Sequence, residues 1–104
     1  MLDYESTIIC ERFIQCLSRL KADGKITGIT SFCERYHINR RNMAKLKNDT
    51  SRQIFKPSWM YYLVRDYGIS ADYLLTGRGQ VYAVSDAKRA KNVQAIQDLL
   101  VTLL

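Results

Sequence analysis

Apolar residues recur at spacings of three and four along most of this chain, which is the pattern of helices with one buried face. The pattern is clearest in residues 5–21, where one apolar stripe runs along a predicted helix until Asp23 and Gly24 end it. The stripe consists of Ile9, Phe13, Cys16, Leu17 and Leu20. Apolar and polar residues alternate, as in a strand, only over a few positions in residues 81–84. The chain is therefore predicted to be all-α.

Two short helices are predicted after the polar connection "KITGIT". Ser31 followed three residues later by Glu34 is the pattern of a capping box, so the second helix is expected to begin there and to end near Tyr36 or His37. Asn39 is a favourable N-cap for the third helix. The residues expected to be buried in this pair of helices are Phe32, Cys33, Tyr36, Met43 and Leu46.

A fourth and a fifth helix follow a polar loop. Pro57 suits the first turn of the fourth helix, and Gly68 is expected to end it. Ser70 is a predicted N-cap for a short fifth helix, which Gly77 closes. The apolar face of the fourth helix consists of Trp59, Met60, Leu63, Val64 and Tyr67.

The last segment, "SDAKRAKNVQAIQDLLVTLL", is predicted to form a sixth helix. Gly77 and Gly79 precede it and suggest a hinge. The chain is accordingly divided into a domain of five helices in residues 1–80 and a linker with a C-terminal helix in residues 81–104.

The C-terminal helix is expected to pair two protomers. Residues 5–77 already contain enough apolar faces to close a core, so the stripe on the last helix has no partner in its own domain. Its residues are Val93, Ile96, Leu100 and Leu103. The alternative is that the helix folds back and covers its own domain.

Composition and charge restrict the class of partner. A chain of 104 residues, 47% of them hydrophobic and one of them proline, fits a single folded domain. The net charge of +6 and the pI of about 9.4 favour a polyanion such as nucleic acid, or an anionic membrane surface.

The residues that carry catalysis and metal binding are sparse. Cys10, Cys16 and Cys33 form no CxxC pair and are predicted to be reduced, packed thiols, and His37 is the only histidine. No acid or base stands where it could partner that histidine. We therefore expect no enzyme activity, no metal, no cofactor and no small-molecule ligand.

No run of 18 apolar residues exists, and the acidic start "MLDYESTIIC" does not resemble a signal peptide. The protein is therefore expected to be cytoplasmic, without membrane association.

The third helix carries the most informative pattern, in "HINRRNMAKLKN". On a helical wheel, Met43 and Leu46 point inward, and a basic face lies opposite them. That face consists of Arg40, Arg41, Ala44 and Lys45, with Asn48 one turn further on. Arginine matches the two acceptors on the major-groove edge of guanine, and the small alanine allows close approach to a groove. A solvated basic face without function is the alternative.

Two motifs resemble a known family. "SFCERYHINRRNMAKLKN", followed by "VRDYGISADYLLTGRG", resembles the helix-turn-helix domain of phage Cro and repressor proteins and of the related bacterial xenobiotic-response-element regulators. The likeness spans about residues 5–80. The family usually has glycine in the turn where this chain has His37, and a small alanine where it has Cys33.

The resemblance implies a five-helix repressor-like fold and a regulator, of bacterial or phage origin, that binds double-stranded DNA at the nucleoid as a homodimer without a cofactor. It places Asn39 at the start of the recognition helix. The residues expected to face bases or the DNA backbone on that helix are Arg40, Arg41, Ala44, Lys45 and Asn48. Phosphate contacts are expected from Thr30 and Ser31 at the second helix and from Arg52 in the following loop. The alternative is a protein-interaction module of the same fold that has lost its operator.

Overall fold

The computed structural model describes residues 3–83, in which five α-helices and no strand are found. The helices are α1 Tyr4–Ala22, α2 Ile29–Arg35, α3 Arg40–Asn48, α4 Pro57–Tyr67 and α5 Ala71–Thr76. The all-α prediction and the first five predicted helices are therefore confirmed. The predicted sixth helix, with Val93, Ile96, Leu100 and Leu103, lies outside the described residues.

Most helix ends are set by capping residues that the sequence indicates. The side chain of Asn39 accepts a hydrogen bond from the backbone N–H of Asn42 at 3.0 Å at the start of α3. Ser70 does the same at the start of α5. Gly68 and Gly77 end α4 and α5 with φ of 71° and 75°, a conformation that glycine adopts without steric cost.

The predicted start of α2 is wrong. The helix begins at Ile29, two residues before Ser31, and Gly28 is its N-cap residue. Ser31 therefore stands in the first turn, where its Oγ accepts from the Gly28 N–H at 3.3 Å and donates to the Gly28 carbonyl at 2.8 Å. Ile29 packs against the core, and the burial of this side chain favours extending the helix towards the N-terminus.

The core is built around Phe13 of α1. Its ring contacts Phe32 of α2 at a centroid distance of 6.2 Å and Trp59 of α4 at 6.1 Å. Cys10, Cys16 and Cys33 are buried and free, as predicted. Burial raises the pKa of the Cys10 and Cys16 thiols to about 11, because the interior disfavours the thiolate. Thiols of this kind are inert packing groups.

After α5 the chain turns back onto the domain. The Ser70 N–H donates to the Val81 carbonyl at 2.8 Å, and the Ala83 N–H donates to the Gly68 carbonyl at 2.8 Å. Tyr82 forms one antiparallel bridge with Ile69. The short alternation predicted in residues 81–84 thus produces an isolated bridge, and the chain remains attached to the domain up to residue 83.

Candidate nucleic-acid interface

A tight turn joins α2 to α3. The Ile38 N–H donates to the Cys33 carbonyl at 2.9 Å. The His37 N–H donates to the Glu34 carbonyl at 3.5 Å, which completes the hydrogen-bond pair of a Schellman motif. His37 has a φ of 56° and is the only non-glycine residue with positive φ in residues 3–83. The turn therefore has the left-handed conformation that glycine adopts most readily.

The same motif ends α1, with glycine in place of histidine. There the Gly24 N–H donates to the Lys21 carbonyl at 3.1 Å and the Lys25 N–H donates to the Leu20 carbonyl at 2.9 Å, and the glycine φ is 74°. A residue with a Cβ costs about 1 kcal/mol in this conformation. The His37 side chain makes no hydrogen bond or ion pair with any described residue that would offset this cost.

Helix α3 is anchored on one side and open on the other. Met43 and Leu46 are fully buried. The opposite side, named the α3 face, is exposed and consists of Arg40, Arg41, Ala44, Lys45 and Asn48. The predicted inward and outward positions of α3 are therefore confirmed, whereas the DNA contacts of the α3 face stay predictions.

The cations of the α3 face are not neutralised by other side chains of residues 3–83. Helix α3 contains no acidic residue. The side chains of Arg40, Arg41 and Lys45 form no ion pair or hydrogen bond in the described part of the chain. Like charges fixed on one helix repel one another, so this face is complemented best by an external anion.

The structure brings the start of α3 together with the turn. Asn39, which is exposed, shares an open cleft of about 540 Å³ with His37, Arg40 and Arg41. Glu34 is the acidic residue that lines this cleft. The two arginines predicted to read bases therefore lie beside the strained turn.

A second cleft, of about 850 Å³, lies at the start of α2. Thr30 and Ser31 line it, together with Lys21 of α1 and Lys47 of α3. Thr30 is exposed, whereas Ser31 is half-buried and its hydroxyl is bonded to Gly28. The two lysines were not predicted as site residues, because only the packing of α1 and α3 beside α2 brings them to this cleft.

Arg52 lies apart from these clefts. It is exposed in the loop before α4, and its Nε lies 3.8 Å from Asp49 Oδ2. Hydrogen bonds from Ser51 lower the pKa of the Asp49 carboxyl and favour its charged form. The cation of Arg52 is therefore partly balanced within its own loop.

The end of α2 is fixed against α4 by a cluster that we name the tyrosine seam. It consists of Arg35, Tyr36, Tyr62, Arg65, Asp66 and Tyr67. The rings of Tyr36 and Tyr62 stack at 4.3 Å with an interplanar angle of 5°. The Tyr36 hydroxyl donates to Asp66 Oδ2 at 2.6 Å. Because Tyr36 immediately precedes His37, these contacts hold the turn, and with it α3, in a set orientation.

Electrostatics within the tyrosine seam favour the charged carboxylate. The guanidinium of Arg65 and the hydroxyl of Tyr36 hold the pKa of Asp66 well below its usual range. Burial and the hydrogen bond to Asp66 raise the pKa of the Tyr36 hydroxyl. Both shifts keep the Tyr36–Asp66 hydrogen bond intact at neutral pH.

Between residues 3 and 83, no helix combines the length and apolarity that crossing a bilayer requires. No group of three histidine, cysteine, aspartate or glutamate side chains in the same part of the chain is arranged to bind a metal ion.

Comparison of the chain with protein-family models, with curated proteins and with solved structures gives no match. The function proposed below therefore rests on the sequence motifs and on the geometry of α2, the turn and α3.

Proposed function

We propose that this protein is a sequence-specific, double-stranded DNA-binding transcriptional regulator with a repressor-like helix-turn-helix domain. The supporting observation is the α3 face, an exposed helical surface whose three cations have no partner among the described residues. DNA is a rod of closely spaced negative charge, and its major groove admits one α-helix. The order α2, turn, α3 matches the order of the motif that inserts its second helix there.

The proposed roles follow from side-chain chemistry. Arg40 and Arg41 read base edges, because the guanidinium fork pairs with the O6 and N7 acceptors of guanine. Ala44 lets the backbone of α3 approach the groove closely. Lys45 contacts phosphate as a point charge.

Further backbone contacts complete the proposed interface. Thr30 and Ser31 meet one phosphate at the start of α2, beside Lys21 and Lys47. Asn39, Asn48 and Arg52 extend the contacts on either side of the α3 face. These contacts position the helix and carry no sequence information by themselves.

The regulator is proposed to act as a homodimer in the cytoplasm, at the nucleoid. Helix-turn-helix proteins commonly read two half-sites about one helical turn apart, which requires two protomers. Val93, Ile96, Leu100 and Leu103 are the proposed dimer contacts. Removal of residues 86–104 is then expected to leave a folded protein that sediments as a monomer. This monomer should bind a palindromic duplex poorly.

A second candidate function is a protein-interaction module of the same fold. An apolar cleft of about 260 Å³ between α4 and α5 favours it, since Tyr61 and Leu75 at its rim are 57% and 53% exposed. Exposed apolar residues grouped around a cleft are typical of protein contacts.

The two functions are separated by selecting bound sequences from a random pool of DNA duplexes with the full chain. The proposed function predicts enrichment of a short motif with inverted symmetry, and an affinity that falls steeply with salt. A pool that stays random, with no duplex binding in 50 mM salt, would favour the interaction module.

A further inference from the structure

A cleft between the turn and the start of α4, named the turn cleft, has an unusual lining. It encloses about 360 Å³ and combines residues of the turn, of α3 and of the first turn of α4. Its polar side chains include those of Tyr36, His37, Asn39, Asn42, Lys56, Ser58 and Tyr62. No acidic side chain lines it. A cleft of hydrogen-bond donors without a carboxylate is suited to an anion.

Several of these hydrogen-bond donors have no acceptor within residues 3–83. The Oδ1 atom of Asn39 accepts from the Asn42 N–H, which leaves the amide NH₂ group of Asn39 to donate. Lys56 and Ser58 are exposed, and their side chains form no hydrogen bond or ion pair with residues 3–83. The turn cleft thus combines a free ammonium, amide and hydroxyl donors within one concave surface.

The side chain of His37 also lacks a partner among the described residues, and its backbone is strained. It is exposed and without a partner among the described residues, although its backbone conformation is one that a side chain makes costly. A strained residue that persists without internal compensation points to a role outside the folded chain. Imidazole is also the side chain whose charge ordinarily changes between pH 5 and 8.

The charged groups around His37 do not supply the missing partner. Glu34, Arg40 and Arg41 line the first cleft together with His37, and Lys56 lines the turn cleft with it. The remaining titratable groups that line these clefts are the Cys33 thiol and the hydroxyls of Tyr36 and Tyr62. Of the side-chain types in these two clefts, imidazole is the one that ordinarily exchanges a proton near neutral pH.

We propose that the turn cleft binds a backbone phosphate of DNA, and that His37 is one of its ligands in the protonated form. This inference rests on the proposed DNA-binding function. Lys56 supplies the permanent charge, and His37 adds a second charge when it takes up a proton. DNA binding is therefore coupled to proton uptake near neutral pH, and affinity rises as pH falls.

The test measures the Kd of the full chain for one selected duplex between pH 5.5 and 8.0 at constant ionic strength. Wild type is expected to bind on the order of fivefold more tightly at pH 5.5 than at pH 7.5, since one cation is added at a phosphate. The matched control is His37→Gln, which removes the only imidazole and should be flat across this range. His37→Arg keeps the charge at every pH and should bind tightly without pH dependence.

A second measurement reports proton uptake directly, so it does not depend on how a substitution at His37 changes the strain of the turn. Calorimetry at pH 6.5 in two buffers of different ionisation enthalpy reports the protons taken up on binding, which should be a fraction of one for wild type and zero for His37→Gln. Lys56→Gln should weaken duplex binding at both pH 5.5 and pH 7.5.

The outcomes distinguish the two proposals. Duplex binding by wild type with the same pH dependence as His37→Gln, or with no proton uptake, would overturn the turn-cleft inference and leave the DNA-binding function standing. No duplex binding at any pH would overturn both.

Discussion

Arg65 in the tyrosine seam and Arg41 on the α3 face are both exposed arginines on helices, but their surroundings differ. Arg65 Nε donates to Asp66 Oδ1 at 2.8 Å, and its guanidinium lies 4.9 Å from the centre of the Tyr61 ring. The side chain of Arg41 forms no ion pair, hydrogen bond or ring contact within residues 3–83. One charge is balanced inside the domain, and the other is directed outward.

Exposed arginines of this domain differ in whether neighbouring side chains balance their charge. Exposure alone does not distinguish Arg65 from Arg41, because both are accessible to solvent. Their hydrogen-bond and ion-pair partners distinguish them. In the tyrosine seam, Arg35 donates to the Tyr67 hydroxyl and pairs with Asp66, which links the end of α2 to α4. Arg65 pairs with Asp66 beside it on the same helix. On the α3 face no such partner is found among residues 3–83, so no contact within this part of the chain has to break before an anion binds.

The largest expected effect is on specific DNA binding. Arg40→Ala and Arg41→Ala are each expected to leave thermal stability almost unchanged, because neither side chain has a hydrogen-bond or ion-pair partner among the described residues. For whichever arginine reads a guanine, specific binding should weaken by about 1–3 kcal/mol. Equilibrium binding to the selected duplex and to a scrambled duplex checks this. Wild-type affinity in both variants would remove the α3 face as the interface.

A pair of variants that each remove one positive charge, Lys45→Gln on the α3 face and Arg65→Gln in the tyrosine seam, tests the difference between the two surfaces. Lys45→Gln should weaken binding to all duplexes alike and make the slope of log affinity against log salt shallower by about one per protomer. Arg65→Gln should leave that slope unchanged and lower the thermal stability instead, because it removes the bond to Asp66. If both variants change the slope equally, the effect is one of net charge alone and the distinction between the two surfaces fails.

Tyr36→Phe addresses the tyrosine seam directly. The substitution keeps the stacked ring and removes the hydroxyl that donates to Asp66. We expect the free energy of unfolding to fall by about 1 kcal/mol, with specific DNA affinity retained. Urea denaturation and duplex binding measure the two quantities. An unchanged stability would mean that the hydroxyl bonds equally well to water.

The smallest effect concerns the two Schellman motifs. His37→Gly is expected to be neutral or to raise the free energy of unfolding by up to about 1 kcal/mol, because glycine adopts positive φ without a Cβ clash. Gly24→Ala is the reverse change and should lower it by about 1 kcal/mol. A Cβ at Gly24 would meet no atom within 4 Å, so the cost there is one of backbone conformation. A clear loss of stability in His37→Gly would show that the histidine has a stabilising contact of its own.

The helix ends and the buried faces were predicted well because they depend on residues three or four positions apart. Asn39, Ser70 and Gly77 act on the nearest backbone groups, so their roles can be recognised without knowledge of the fold. The predicted start of α2 was wrong because Ile29 packs against distant parts of the core, and that contact outweighed the local capping pattern.

The local pattern of residues was sufficient to predict five helices and an amphipathic α3 with a basic outer face, whereas the positive φ of His37 is a finding of the structure. Tertiary packing then decides which cations of residues 3–83 have partners. Tyr36 finds Asp66 thirty residues away, and Lys56 joins His37 in the turn cleft, because α4 packs against the end of α2. Ion pairs, ring stacking and clefts form between residues that the chain brings together from a distance, and local periodicity carries no information about such pairs.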